Sequence, residues 1–256
     1  MDTERVSTTS TTHDKLLTIV CATKNAGSTA EKLLFSYAAQ KTDRTELVII
    51  DSCSVDDTLV ILDRYREYID QILVENDHGI YEAWNKGIRL ATGEFVSFVG
   101  ADDTIASGAI DELLSTIDSR HDVDYIFGYN VSTTNGIPSK IIGRPYSLQA
   151  MEKYMPMAHV MSAHRRVWLV EKGMFDESYK SSGDYDFLLR TRKSMRFIES
   201  KKIFAYVEDN GISRRSAMPL FEAFRAKRRH GVGRIKSTAW LVRGLTGHLI
   251  RHFFVK

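Results

Sequence analysis

The run Glu94-Phe95-Val96-Ser97-Phe98-Val99 lies between Gly93 and Gly100 and is almost continuously apolar, with β-branched and aromatic residues. A strand with one wet face alternates apolar and polar positions. This run does not, so it predicts a strand covered on both faces, as in a sheet sandwiched between helices. Its C-terminal end carries Asp102 and Asp103 side by side. Open parallel sheets bind ligands at the carboxyl ends of their strands. The acid pair therefore reads in two ways. It can hold a divalent cation with a phosphate ligand, or Asp103-Thr104 can cap the helical stretch Ala106–Ile117.

The preceding chain has the same layout. Leu16–Ala22 predicts a first buried strand, followed by the loop Thr23–Ser28 and a helix to about Gln40. Glu46–Asp51 predicts a second strand that again ends in a carboxylate. Thr58–Tyr68 has helical spacing, Ile69–Glu75 predicts a third strand, and His78-Gly79 opens a helix over Ile80–Leu90. Strand and helix alternate with short connections. The expected fold class is thus α/β, a doubly wound and mostly parallel sheet flanked by helices. Strand ends at Thr23, Asp51 and Asp102-Asp103 fall on one edge of that sheet.

The second half is more mixed. Val123–Tyr129 and Ile137–Gly143 predict strands joined through Asn135-Gly136 in a hairpin turn. Met155–His159 reads as loop, Val167–Lys172 as a short helix and Asp184–Arg192 as a helix with an acidic first turn. Phe197–Glu199 and Ile203–Glu208 predict strands. From Pro219 the composition changes. Residues 219–256 carry many Arg and Lys against one acid, Glu222, interleaved with residues such as Phe221, Trp240, Leu241 and Phe254. Two basic amphipathic helices broken near Gly231–Gly233 are expected. They can lie on an anionic membrane surface or pack on the core with a solvated basic face.

Composition excludes several classes. Of 256 residues, 43% are hydrophobic and 27% charged, as in a globular protein. A net charge of +2 implies no nucleic-acid partner. Cys21 and Cys53 are far apart, outside any metal-spaced cluster, and fit a reducing compartment. Residues 1–14, polar and rich in Ser and Thr, read as a disordered tail without the apolar core of a secretory signal. No apolar run reaches the length of about 18 residues that a spanning helix needs.

Several segments carry more specific information. They are Asp51-Ser52-Cys53-Ser54-Val55-Asp56-Asp57-Thr58, then Glu75-Asn76-Asp77-His78-Gly79-Ile80-Tyr81-Glu82-Ala83-Trp84-Asn85-Lys86-Gly87, and then Ala91-Thr92-Gly93-Glu94 through Asp102-Asp103. Farther on come Gly173-Met174-Phe175-Asp176-Glu177 and Ser182-Gly183-Asp184-Tyr185-Asp186-Phe187-Leu188-Leu189-Arg190. In this order and spacing they resemble the family-two glycosyltransferases of the GT-A fold, over about residues 16–215. The resemblance implies a GT-A domain over 15–215. Its nucleotide-binding half would be 15–105 and its acceptor-binding half 106–215, with a basic helical tail over 219–256.

The resemblance also implies roles. Asp51 would hydrogen-bond the base, Asp56 would support the nucleoside pocket, Thr23 would line it, and Asp77 joins the donor-binding set. Asp102 would contact the ribose region and Asp103 would ligate Mg2+ or Mn2+. Asp184 matches the catalytic base, which implies direct displacement and inversion. His159 matches a histidine near the site, its role open between acceptor side and structural support. Asp186 is a further candidate on the acceptor side. The implied partners are a nucleotide-diphosphate sugar donor and a glycan or lipid-linked acceptor. The implied location is the cytoplasmic face of a membrane, in cell-surface polysaccharide synthesis.

Three positions depart from the family pattern. Lys24 stands beside Asn25 where an aromatic residue is common, Ala101 takes the first place of the metal motif, and Gly183 replaces an acidic residue before Asp184. Two competing functions share this fold class and these residue types. A sugar-phosphate nucleotidyltransferase would need a Gly-rich loop after the first strand, and Thr23–Gly27 has one glycine. A non-catalytic nucleotide- or glycan-binding protein would retain the fold without turnover.

Overall fold

A computed structural model describes residues 15–209 and 216–254, so the disorder expected for residues 1–14 lies outside the described residues. The first half follows the predicted alternation. It runs β1 (Leu17–Thr23), α1 (Ala30–Ala38), β2 (Thr45–Asp51), α2 (Thr58–Arg64), β3 (Gln71–Val74), α3 (Ile80–Leu90) and β4 (Phe95–Gly100). The expected helix to Tyr68 divides into α2 and a 3-10 turn at Arg66–Tyr68. After these come β5 (Thr104–Ile105), α4 (Ala109–Ser119), β6 (Tyr125–Thr134), β7 (Ile137–Ile142), α5 (Leu148–Lys153), β8 (Ala163–Arg165), α6 (Arg166–Glu171), α7 (Gly183–Thr191) and β9 (Phe197–Glu208). Helices α8 (Met218–Arg229) and α9 (Arg234–Phe254) follow.

One sheet has the order β3-β2-β1-β4-β8-β6-β9-β5, with β7 paired to β6. Strands β3, β2, β1 and β4 are mutually parallel. Beyond β4 the sheet becomes mixed, because β8 pairs antiparallel with both β4 and β6 while β6 and β9 run parallel. Residues Phe197–Glu199 and Ile203–Glu208, expected as separate strands, are one strand whose register with β6 shifts near Tyr129.

The pleat sorts the core. Leu17, Ile19 and Cys21 of β1 pack with α1 and α4 residues such as Leu34, Tyr37, Ile110 and Leu113. Val20, between them in sequence, packs on the other face with Tyr81, Trp84 and Ile88 of α3 and with Phe187 and Leu188 of α7. Thus α3 and α7 share a face of the sheet, although about a hundred residues separate them in the chain.

Helix α8 is docked on this second face. Ala226 is fully buried there. Arg229 pairs with Asp176, and Arg225 lies 3.9 Å from the same carboxylate and stacks over Tyr179. Against the cost of burial, hydrogen bonds from Ser178 and the charge of Arg229 hold Asp176 down to about 2. Of the two readings of the tail, packing on the core holds for α8. Helix α9 lies along α8 and leaves Ile235, Val242 and Leu249 exposed. Among the described residues no helix is long and apolar enough to cross a membrane.

Candidate active site

The register aligns the parallel strand ends, with Thr23 opposite Asp51 and Ala22 opposite Gly100. Asp51 is completely buried, and its charge is met by donors. Thr23 Oγ1 donates to it at 2.7 Å, as do the hydroxyl and the backbone N–H of Ser54 at the same distance. Such bonds stabilise a buried carboxylate. Thr23 therefore acts by holding Asp51.

Asp56 joins two loops. Its Oδ2 accepts the Gly27 N–H at 2.9 Å and its Oδ1 accepts from the Thr58 hydroxyl and N–H. A Cβ at position 27 would stand 2.9 Å from Asp56 Oδ2, so this close approach needs glycine. Asn25 completes the junction, donating its N–H to Ser54 Oγ and accepting the Val55 N–H. The loop after β1 and the loop after β2 are thereby one framed surface. Bonds from Thr58 hold Asp56 below the usual carboxylate range. Lys24 reaches Ser52 Oγ at 3.3 Å on the same surface. Asp77 accepts the Gly79 N–H at 3.0 Å and shapes the turn into α3.

Asp102 is half-buried and Asp103 is buried at the end of β4. Asp103 Oδ2 accepts the Gly100 N–H at 3.0 Å. Burial, then the charges of Asp102 and Glu208, push its pKa up to about 8 against the opposing bonds from the Gly100 and Glu208 backbones. The cap reading of Asp103 is not realised, because the following helix, α4, starts at Ala109 after Gly108. The buried Cys21 thiol is pushed up by burial first and then by Asp103, Asp102 and Asp51. These three carboxylates therefore gather about the end of one strand.

Asp184 sits in the first turn of α7, half-buried. Its Oδ1 accepts the Tyr81 hydroxyl at 3.0 Å and the Tyr185 N–H at 2.8 Å. Tyr81 belongs to the first turn of α3, which starts where the chain leaves β3 at the carboxyl edge. Asp184 is thus anchored to the edge that carries Asp51 and Asp103. Burial and the Asp184 charge raise the Tyr81 phenol well above its ordinary value, so it stays a proton donor to the carboxylate. The glycine at 183 has a reason here. A Cβ on Gly183 would lie 2.9 Å from three atoms of the Tyr81 ring.

The turn before α7 is held from the tail. Glu222 accepts the N–H groups of Lys180, Ser181 and Ser182 at 2.8, 2.8 and 2.9 Å. The single acid of the basic segment thus positions the segment that presents Asp184. Next to Asp184, helices α5, α8 and α9 enclose a cleft of about 880 Å3, whose walls include Asp184, Tyr185, Leu220, Phe224, Lys227 and Trp240.

The acceptor-side candidates fare differently. Asp186 is buried, accepts the Tyr179 hydroxyl at 2.9 Å and shares a 2.8 Å hydrogen bond with His230 Nε2. Facing inward two positions after Asp184, it fastens the end of α8, which is a structural placement. His159 is buried against Trp84 and Phe98, which also touch each other, and its Nε2 lies 3.2 Å from His164 Nε2. The structural role fits it. Tyr81 and Glu222 were not foreseen as site residues. Tyr81 stood inside a quoted segment, and Glu222 was conspicuous as the lone acid in a basic run.

The sequence model described as "Glycosyl transferase family 2" matches residues 18–178, more than half of the chain and ending just before Asp184. A PGL/p-HBAD biosynthesis glycosyltransferase of Mycobacterium tuberculosis is 26% identical over 179 residues, covering 68% of this chain and 69% of that protein. The putative teichuronic acid biosynthesis glycosyltransferase TuaG of Bacillus subtilis is 29% identical over 137 residues, 52% of this chain and 54% of its own. Among solved structures, TarS residues 1–349 of S. aureus in complex with UDP-GlcNAc aligns with a TM-score of 0.68. It is 22% identical, with 94% of this chain and 76% of that chain covered. The mannosyltransferase PcManGT of Pyrobaculum calidifontis, in complex with GDP-Man and Mn2+, aligns at 0.63 with 17% identity, over 93% and 76% of the two chains.

Proposed function

This chain belongs to glycosyl transferase family 2, and from that premise we propose that it is an inverting enzyme. It would move a sugar from a nucleotide-diphosphate donor to a hydroxyl of a glycan or lipid-linked acceptor. The observation that carries this reading is the hydrogen bond from Tyr81 to Asp184, which ties a carboxylate of α7 to the strand edge holding Asp51 and Asp103.

The donor's base would meet Asp51 on the surface framed by Asp56 and Asn25, with Lys24 near the diphosphate and Asp102 at the ribose region. Asp103 fits a cation ligand. Its carboxylate is buried, short of compensating charge and pushed up to about 8, and hard oxygen donors suit Mg2+ or Mn2+. Among the described residues no three His, Cys, Asp or Glu side chains are grouped to hold a metal alone, so donor phosphate oxygens would complete the shell. Such a cation would neutralise charge on the leaving diphosphate. Asp184 takes the proton of the acceptor hydroxyl as its oxygen bonds to the anomeric carbon and the bond from that carbon to the diphosphate breaks. A single displacement inverts that carbon.

The relatives' names, teichuronic acid biosynthesis glycosyltransferase and poly(ribitol-phosphate) beta-N-acetylglucosaminyltransferase, favour a cell-surface polysaccharide pathway for this chain. The exposed apolar positions of α9 and the surrounding Arg and Lys favour peripheral attachment to an anionic, cytoplasmic membrane face. Nucleoside diphosphate release from a panel of nucleotide sugars, with Mg2+ or Mn2+ and mixed acceptors, tests the reaction. Turnover lost in Asp103→Ala is the expected result. Donor binding without turnover, untouched by Asp184→Asn, would instead establish a binding protein. Liposome flotation of the native chain and of the Ile235→Glu, Val242→Glu, Leu249→Glu variant tests the membrane part, and equal behaviour of both chains would remove it.

A further inference from the structure

The cleft beside Asp184 is larger and less polar than a sugar alone requires. Leu220 and Phe224 of α8 and Trp240 and Leu241 of α9 give it apolar walls. Its charged groups are Lys153, Lys227 and Arg243 against Asp184, an excess of positive charge. Lys227 is 6% exposed, and its ammonium donates to the Lys153 carbonyl at 2.6 Å, a neutral partner. The Ser181 hydroxyl, in the same wall, is buried with no hydrogen-bond partner among the described residues. Buried polar groups of this kind ordinarily have a partner. Lys153 Nζ stands 5.4 Å from the Trp240 ring centroid and the Arg243 guanidinium carbon 5.5 Å from it, so the aromatic wall carries a cationic rim.

We infer that this cleft receives the acceptor, and that the acceptor is an anionic amphiphile. Its hydroxyl-bearing head lies at Asp184, a phosphate or diphosphate linker meets Lys227, Lys153 and Ser181, and an apolar chain covers Leu220, Phe224 and Trp240. The inference rests on Asp184 being the base of the proposed transfer. It assigns the substrate class from the cleft's chemistry, apolar walls that also carry cationic side chains.

Tryptophan fluorescence reads occupancy, because Trp240 lines the cleft while Trp84 and Trp168 are buried elsewhere. The full chain is titrated with octyl phosphate, octyl glucoside and inorganic phosphate, each below any micelle concentration. Octyl phosphate should bind saturably and at least about ten-fold more tightly than either control, since chain and charge both contribute. Gly247→Phe should weaken it about ten-fold by filling the cleft. Gly247 lines the cleft and a Cβ there meets nothing within 4 Å. Lys153→Gln, at an exposed helix end, should weaken it about three-fold and settles the matter if Gly247→Phe does not fold. Equal binding of inorganic phosphate or octyl glucoside, or indifference to these substitutions, overturns the inference.

Calorimetry of donor binding to the native chain separates this from the reading beneath it. Donor binding without octyl phosphate binding sinks the inference alone. Octyl phosphate binding in a chain that binds no nucleotide sugar sinks the proposed transfer and leaves a lipid-phosphate cleft.

Discussion

The proposed donor half and the proposed acceptor half of this molecule hold their candidate side chains by different means. In residues 15–105 each candidate side chain stands at or just after a strand end, and its partners lie in its own turn or at the adjacent strand end or loop, as Ser54 and Thr23 do for Asp51. In the acceptor half Asp184 depends on partners from far away. Tyr81 comes from the donor half and Glu222, which holds the turn before α7, from the tail. A parallel βαβ layer carries ligand positions wherever its strands end. A catalytic carboxylate facing that edge has to be brought there by packing.

The sharpest test of the contrast is Asp184→Asn. If Asp184 is the proposed general base, its removal costs about 10²- to 10⁴-fold in kcat, and donor affinity, which the proposal places in the other half, should hold in calorimetry. Glu222→Ala comes next. Freed amides ahead of α7 should cost about 1–3 kcal/mol of stability in denaturant titration. Loss of position should lower kcat by about ten-fold or more with donor KM unmoved. A parallel fall in donor affinity would break the division. Tyr81→Phe keeps the ring against Gly183 and removes one hydrogen bond to Asp184. A kcat loss of about ten-fold, with a melting temperature close to native, is expected.

A pH-dependent effect lies where the two proposed halves meet, at His159 and His164, which share a hydrogen bond among aromatic rings. Burial lowers both pKa values, for His164 with help from His159, while the Asp184 charge partly opposes the shift in His159. Both pKa values are lower in the fold than the value near 6.5 of the unfolded chain. Their contribution is therefore complete above about pH 6.5 and is lost as pH falls toward each folded pKa, at a rate of at most about 1.4 kcal/mol per unit for each histidine. Denaturant midpoints measured from pH 7.5 to 5.5 check this. A flat profile would mean that the pair can accept a proton inside the fold.

Legibility follows the same division. The strands β1, β2 and β4 were plain because burial on both faces forces continuous apolar runs, and their carboxylates were plain because they end those runs. Strand β8, three residues long, has no period to read, yet it joins the parallel layer to the mixed one. Asp186 illustrates the limit most clearly. It shares a segment and a helix with Asp184, but rotation by two residues turns it inward to Tyr179 and His230.

By itself, then, the sequence determined the layered α/β class, the carboxylates that end its strands and the family, because local periodicity and segment order carry them. Only the tertiary structure decided how Asp184 is held, that α8 packs on the core, and that a cationic, apolar cleft opens beside Asp184. Those features arise from contacts between residues some forty to a hundred positions apart, and no short-range pattern records which distant side chains will meet.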